Sequence, residues 1–318
     1  MIATGCLVQW FEIDMIDEYI NSLKTSIGIN KDKVIIDFGI VINQQLEKFD
    51  TSQGNFENII IKPFKVKMKT LIEEGYKIDF KFHSNLYTIA DYRREFNQNY
   101  CNKADVLFWG ESDMLVPSQA IETILSLNEA AKETTPKWIG FFATCKMWDD
   151  SWKILEHPKV TDLPRDPYAW YGTRSYMSYE TMEEINSNVE SGSIISSPQY
   201  KFNGCGLVIS SEIVRSGVNI PESVFFTHED TAFMNNMVVT FGNNKIPFYI
   251  IKNILLVHNR EHPQKRNYVL GESGNDLTAK RKSNKWYNVA SEYSKHNAYN
   301  FNKQIKSYNW DDVWNNIK

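Results

Sequence analysis

Hydrophobic positions in the first half of the chain recur in two alternating rhythms. "GCLVQWF" (5–11) is a short, almost wholly apolar run that predicts a buried strand. After it Ile13, Ile16, Ile20, Leu23 and Ile27 fall at three- and four-residue steps, the stripe of an amphipathic helix. "VIIDFGIV" (34–41) predicts the second strand. "FKVKMKTLIEEG" puts Phe64, Met68, Leu71 and Ile72 on one helical face and stops at Gly75, a C-terminal cap; "YKIDFKFH" then alternates Ile78, Phe80 and Phe82 with polar residues, a strand. Thr88 caps the next expected helix, which turns Ile89, Tyr92, Phe96 and Tyr100 inward, and Pro117 opens another. Strands alternating with helices in this manner predict an α/β fold, a mostly parallel sheet flanked by helices on both faces.

The second half is less regular. "EHPKVTDLPRDPYAWYGTRSYMSYE" (156–180) sustains neither period and is expected to be a long, ordered, functional loop region. "NGCGLVISSEIVRSG" predicts a short strand and then a helix from near Ser211 to near Gly217. In "FFTHEDTAFMNNMVVTFG" an acid pair heads a helix, and "IPFYIIKNILLVHNREH" is a last apolar strand region ending on His258. From about Arg266 the tail is polar, rich in Asn and Lys, and dotted with Trp286, Trp310 and Trp314.

Composition narrows the picture by exclusion. The 318 residues can bury a large core and imply one elaborated domain, or one and a half. A formal net charge of -4 offers no broad attraction to nucleic acid or anionic lipid. The start "MIATGCLVQWFEIDMIDEYI" has no basic region ahead of an apolar stretch, and no later segment is apolar for long enough to span a bilayer, so neither a signal peptide nor a membrane anchor is expected. Cys6, Cys101, Cys145 and Cys205 are scattered and form no CxxC pair, which argues against a zinc knuckle or disulfide framework and for a reducing, cytoplasmic setting.

Candidate chemistry begins at "ADVLFWGESDMLVP", where an apolar run ends on Glu111 and Asp113. Open α/β sheets bind ligands beyond the carboxyl ends of their strands. Two acids one residue apart on extended backbone point the same way and can converge on one hard cation. The other reading is a solvated acidic turn before the next helix.

Taken in order, the first strand and helix, the strand carrying Asp37, the helix "ADYRREFNQNY", the strand ending in an acidic triplet, "NGCGLVIS", the "ED" pair and the downstream His258 resemble GT-A glycosyltransferases, particularly the inverting family 2 type. The resemblance covers roughly Leu7 to His258. It implies a nucleoside-diphosphate sugar donor, with UDP-sugar favoured, a Mn2+ or Mg2+ cofactor, and a glycan or other hydroxyl-bearing acceptor. It also implies a transferase domain over 1–262, with 1–117 as the nucleotide-sugar half and 118–262 as the acceptor half, and a C-terminal lid or extension over 263–318.

Residue by residue, Asp113 matches the last acid of the DxD motif, and Glu111 the first, where Glu is a departure from type. Asp37, at the end of the second strand, matches the acid that reads the nucleobase and would accept a hydrogen bond from a uracil imide. Gln9, within the first strand, is a further candidate for contact with the donor, and Arg93 and Arg94 match the helix that places a cationic or polar contact near the donor. Asn203 with Gly204 would let the backbone approach the transferred sugar. Glu229 and Asp230 match the acids that take the acceptor's proton, with Asp230 preferred, and His258 matches the third metal-binding element. Arg281, in "LTAKRKSNKWYNV", would meet donor phosphate as part of a lid closed by Trp286, and Trp148, Trp152, Tyr168, Trp170 and Tyr171 would offer faces for sugar rings. Each position also has a plain structural reading: a strand-capping Asp37, a surface ion pair for one of the arginines, a first-turn acid pair, a solvated basic stretch.

Two rivals remain at this stage. A sugar-phosphate nucleotidyltransferase would share the sheet and the carboxylate-held metal, but its Gly-rich basic loop after the first strand has no counterpart in "CLVQWFEIDMIDEY". A non-catalytic glycan-binding protein would keep the sheet and lose the metal site.

Overall fold

In β1 (Ile2–Gln9) seven of eight positions are buried, as expected for a strand with neighbours on both sides and helices on both faces. The computed structural model describes residues 1–144, 176–187, 194–197, 202–259 and 285–318, with Leu155, His157, Lys159 and His262. β1 pairs in parallel with β2 (Val34–Val41), in register from Ile2 opposite Val34 to Gln9 opposite Val41, and on its other side with β4 (Val106–Trp109). β3 (Lys77–His83) extends the parallel run beyond β2. With β6 (Ile139–Ala143), β7 (Ile194–Ser197), β8 (Leu207–Ser210) and β9 (Phe248–Leu255), the order is β3-β2-β1-β4-β8-β6-β9-β7. Only β8 and β7 run against the rest of this sheet. A separate two-stranded ribbon joins β5 (Met114–Leu115) to β10 (Val257–His258), with Met114 opposite His258.

Helices α1 (Ile16–Ile27), α2 (Lys62–Glu73) and α4 (Ala120–Lys132) bury Ile16, Tyr19, Phe64, Met68, Ile121 and Ile124 against one face of the sheet. On the other face α3 (Ile89–Tyr100), α6 (Ser211–Arg215) and α7 (Glu229–Phe241) contribute Tyr92, Phe96, Ile213, Phe233 and Met237; α5 (Tyr179–Ser187) packs beside β9. The α/β fold with helices on both faces is therefore met. Among the described residues no helix is long and apolar enough to cross a membrane.

Several local expectations shift. The first strand covers Ile2–Gln9 instead of 5–11, because Trp10–Glu12 turn into one 3-10 turn closed by a capping box between Gln9 and Glu12. Asp37 lies in the middle of β2, which continues to Val41. Ile72 is 50% and Phe80 36% exposed: the first sits at the rim of the α2 stripe, and the second on an edge strand covered on one side only. Pro117 makes a turn, its carbonyl accepting from Ala120, and α4 starts at Ala120.

The tail folds into α8 (Lys285–Asn300) and α9 (Trp310–Ile317). α8 buries Trp286, Ala290, Ser294, Asn297 and Ala298, a helical stripe whose polar members are satisfied by backbone. Ser294 Oγ donates to the Thr227 carbonyl at 2.6 Å, and Asn297 donates to Tyr308 O at 2.7 Å. Phe225, Phe226, Trp286, Trp310 and Val313 close the joint as a separate apolar cluster.

Candidate functional site

The strand order reverses at β1: β2 and β3 lie on one side and β4 on the other, so a crevice opens at the carboxyl ends of β1 and β4. A cleft of about 300 Å³ occupies this position. Its walls carry Gln9 at the end of β1, Glu111, Ser112 and Asp113 after β4, Glu229 at the start of α7, and Tyr287 from α8. Five carboxylates line it, those of Glu12, Glu47, Glu111, Asp113 and Glu229, and among the described residues no lysine or arginine does.

Behind the wall stands Arg93, 1% exposed on α3, a helix started by the Thr88–Asp91 capping box. Its guanidinium donates to Glu111 Oε1 at 2.8 Å, to the Gly204 carbonyl at 2.9 Å and to Glu229, and lies 4.8 Å over the Trp109 ring. Trp109 is itself held by Nε1 donating to Asn97 at 2.9 Å. Burial opposes the arginine's charge, but Glu229 and Glu111 outweigh it and keep its pKa raised.

The ribbon delivers the third partner. Pairing of Met114 with His258, and donation from Asn259 N to the Asp113 carbonyl at 2.7 Å, bring His258 Nε2 within 3.0 Å of Glu111 and 3.2 Å of Asp113. Burial would lower the imidazole pKa, yet Cys205, Asp113 and Glu111 together hold it well above its usual value. For Glu111 burial works toward the neutral acid, and His258 and Arg93 override it, so the carboxyl titrates far below the normal range. Glu229 goes the other way. Burial, with Asp230 and Glu111 adding to it against Arg93, pushes it up to about 7. One arginine shared by buried Glu229 and half-buried Glu111 does not compensate both.

Ser112 Oγ donates to Glu12 Oε2 at 2.9 Å, and Gln9 N donates to the same oxygen at 3.0 Å, so Glu12 ties the end of β1 to the acidic turn. Cys205 Sγ lies with a Glu111 oxygen and a His258 nitrogen in a group whose atoms are all within 4.8 Å of one another. Two carboxylates and an imidazole are oxygen and nitrogen donors suited to a divalent cation.

The structure thus brings together Gln9, Arg93, Glu111, Asp113, Gly204, Glu229 and His258. Others fall elsewhere. Asp37 is not on the cleft wall but beneath α3, accepting from Tyr100 OH at 2.9 Å. Arg94 faces the 220–224 loop, where it donates to the carbonyls of Ile220 and Pro221, each at 3.1 Å, and of Val224. Asp230 accepts from Thr231 N at 2.6 Å, and Asn203 accepts from Cys205 N at 2.9 Å inside its own turn. Trp286 is buried against Phe226 and Trp310 in the aromatic joint, and its neighbour Tyr287 is the α8 residue on the cleft wall. Arg281 and the aromatics Trp148, Trp152, Tyr168, Trp170 and Tyr171 lie outside the described residues.

Sequence reasoning missed Glu12, Cys205, Tyr87 and Tyr287. An acid three residues past a strand end, at the same sheet edge as Glu111, was a usable signal for Glu12. Nothing in the spacing marked Cys205. Tyr87, on the cleft wall, is stacked on His83 with ring centroids 3.6 Å apart.

No family model matches the chain, and no curated protein does. Solved structures similar to it include S. aureus TarS in complex with UDP, at 9% identity and a TM-score of 0.46 over 79% of this chain and 60% of that one. Another is the mannosyltransferase PcManGT from Pyrobaculum calidifontis in complex with GDP-Man and Mn2+, at 10% identity and a TM-score of 0.46 over 92% and 63%. A third is 4-diphosphocytidyl-2C-methyl-D-erythritolsynthase from Anaerococcus prevotii DSM 20548, at 9% identity and a TM-score of 0.41 over 82% and 92%. The chain spans 36% to 60% of the length of the first TarS structures it matches. The parallel sheet with its cleft beyond β1 and β4 is the fold that the GT-A resemblance implies; the chemistry has to be read from this chain's own side chains.

Proposed function

We propose that this chain is a metal-assisted glycosyltransferase that moves a sugar from a nucleoside-diphosphate sugar, a UDP-sugar by preference, to an acceptor hydroxyl with inversion. The observation that carries the reading is the meeting of Glu111, Asp113 and His258 at the topological switch point, on a cleft whose described walls are acidic. Among the described residues the wall presents five carboxylates and no lysine or arginine, so it repels a diphosphate unless a cation lies between. Carboxylates of Glu111 and Asp113 with the His258 imidazole would hold Mn2+ or Mg2+. When bound, such an ion supplies Lewis-acid neutralisation of the charge that builds on the departing nucleoside diphosphate.

The chain's own groups do the rest. Arg93 orients Glu111 and Glu229 from behind the wall. Tyr87 offers an aromatic face near the ends of β2 and β3, where a nucleobase can stack. Asp230, next in sequence to the wall residue Glu229 though not itself on the described wall, and oriented through Oδ1 by Thr231, accepts the proton of the acceptor hydroxyl as the new bond forms, since a hydroxyl is a poor nucleophile while its proton has nowhere to go. A second assignment has its own support: Glu229 is the member of the pair on the cleft wall, and a carboxyl at about 7 is matched to taking a proton near neutrality.

The nucleotidyltransferase alternative is weakened by the turn after β1, which carries Glu12 where phosphate-binding backbone and a cation would be needed. Incubation with UDP-, GDP- and TDP-sugars, with and without divalent metal, tests the proposal. Metal-dependent release of a nucleoside diphosphate is expected; pyrophosphate release in parallel incubations with a nucleoside triphosphate and a sugar phosphate, or no release from any nucleotide sugar, contradicts it.

A further inference from the structure

Of the three cysteines in the described residues, Cys6, Cys101 and Cys205, all are buried and none is in a disulfide. Cys205 differs from the other two in its company: its sulfur, a Glu111 oxygen and a His258 nitrogen all lie within 4.8 Å of one another. We infer that Cys205 is a protein ligand of the cation site, and that the site therefore takes thiophilic divalent ions such as Zn2+, Co2+ or Cd2+ ahead of Mg2+. The inference rests on the proposed cation site but not on the identity of donor or acceptor.

Backbone geometry holds the sulfur in place. Cys205 N donates to Asn203 Oδ1 at 2.9 Å, and Gly206 N donates to the Trp109 carbonyl, at the end of β4, at 2.9 Å. Gly206 has φ 84°, the left-handed region, and a Cβ there would meet the Leu256 side chain at 2.9 Å. The turn is therefore clamped between the end of β4, which leads to Glu111, and the link from β9 to β10, which leads to His258. Residue 205 has little freedom to turn away from either.

The alternative is an inert core cysteine, and Cys205 does pack with the apolar core. The His258 imidazole gives even an inert thiol a hydrogen-bond partner, so the ligand reading rests on the convergence of sulfur, carboxylate oxygen and imidazole nitrogen at one point. Metal binding would break the S–H bond, form S–M, and pass the proton to solvent, so that burial of the thiol is exchanged for burial of a neutralised pair. Thiolate with imidazole and carboxylate suits zinc and cobalt. Magnesium demands oxygen donors in near-ideal octahedral array and keeps its water, so one sulfur position counts against it.

Titration of the full chain with Co2+, followed by absorption, decides the point. The expected result is a near-ultraviolet thiolate-to-cobalt charge-transfer band alongside the visible cobalt bands. Stoichiometric Zn2+ should displace it and excess Mg2+ should not. Cys205→Ser should abolish the charge-transfer band and weaken Co2+ binding by at least about tenfold, since losing a ligand costs no less than losing a group that orients one, while Cys101→Ser leaves both unchanged. Cys205→Ala replaces the serine variant if that does not fold. Visible cobalt bands without charge transfer in the wild type, or equal Co2+ affinity in wild type and Cys205→Ser, would overturn the inference while leaving an oxygen–nitrogen site for the transferase. A cysteine-dependent band combined with nucleotide binding that ignores metal would sink the transferase reading and leave the ligand assignment standing.

Discussion

The Arg93 guanidinium occupies the space that a side chain at position 204 would need: a Cβ built on Gly204 would collide with Arg93 Nη1. The glycine is there because the arginine is, and the Gly204 carbonyl is one of the arginine's acceptors at 2.9 Å. A position that the family resemblance assigns to sugar approach is, in the fold, first of all a seat for the cation that holds Glu111 and Glu229.

Gly204→Ala should therefore push Arg93 off its partners and leave buried Glu229 and half-buried Glu111 short of compensation. Breaking a buried ion pair from one side costs about 3–5 kcal/mol. A loss of that order in denaturant unfolding is expected, together with loss of turnover. In an Arg93→Ala background, where the space is vacated, the same substitution should be nearly neutral; additive losses in the double variant would show that the two residues are not coupled.

At the cation site Asp113, whose side chain is fully buried, and Glu111, which Arg93 also holds, are not equivalent. Asp113→Asn removes a full charge from a fully buried ligand position, and should lower metal affinity and turnover together by at least about a hundredfold. Glu111→Gln keeps an acceptor oxygen for Arg93 and should cost less. Calorimetric metal titration and product release measure both, and wild-type turnover in Asp113→Asn would remove the cation-site assignment.

For the proton acceptor, Asp230→Asn and Glu229→Gln divide the two readings. If Asp230 takes the proton, its variant binds nucleotide sugar with wild-type affinity and loses turnover by about a hundredfold or more, the scale of general-base catalysis. Glu229→Gln would then lose activity mainly by loosening Arg93. A dead Glu229→Gln beside an active Asp230→Asn moves the base to Glu229.

Asp37, off the described cleft wall, gives a pH signature of its own. Burial, opposed by its hydrogen bonds with Tyr100 and Tyr92 and assisted by Asp79, pushes its carboxyl from 3.8 up to about 6. Tyr100 OH is 2.9 Å from Asp37 and 2.7 Å from Asp79, and one hydroxyl proton cannot serve both at once. Because the folded state binds the proton more tightly than the unfolded state, this contribution to stability is full below about pH 4 and is lost as pH rises through about 6. By 1.36 kcal/mol per unit, it reaches roughly 3 kcal/mol at most. Asp37→Asn should flatten unfolding free energy across that window and leave nucleotide affinity unchanged; a large loss of nucleotide binding would return Asp37 to the donor site.

Much of this fold was legible because its strands and helices bury apolar residues at the periods that sequence displays. The stretch from β1 to β4 and the order of the acidic triplet, the ED pair and His258 could be read directly. The tail could not: the inward stripe of α8 passes through Ser294 and Asn297, whose burial is compensated by the Thr227 and Tyr308 carbonyls, partners that no local pattern reveals. Asp37 was misjudged as a strand-end residue because the run "VIIDFGIV" does not show where pairing stops. Cys205 was passed over because its ligand-like company comes from two distant strands, β4 and β10, that meet only in the folded chain.

The most direct test of the central claim is calorimetric titration of UDP into the full chain in the presence of Mn2+ and again with the metal removed by EDTA. Because the described cleft wall presents five carboxylates and no lysine or arginine, binding is predicted with metal and none measurable without it. Equal affinity in the two titrations would contradict the account.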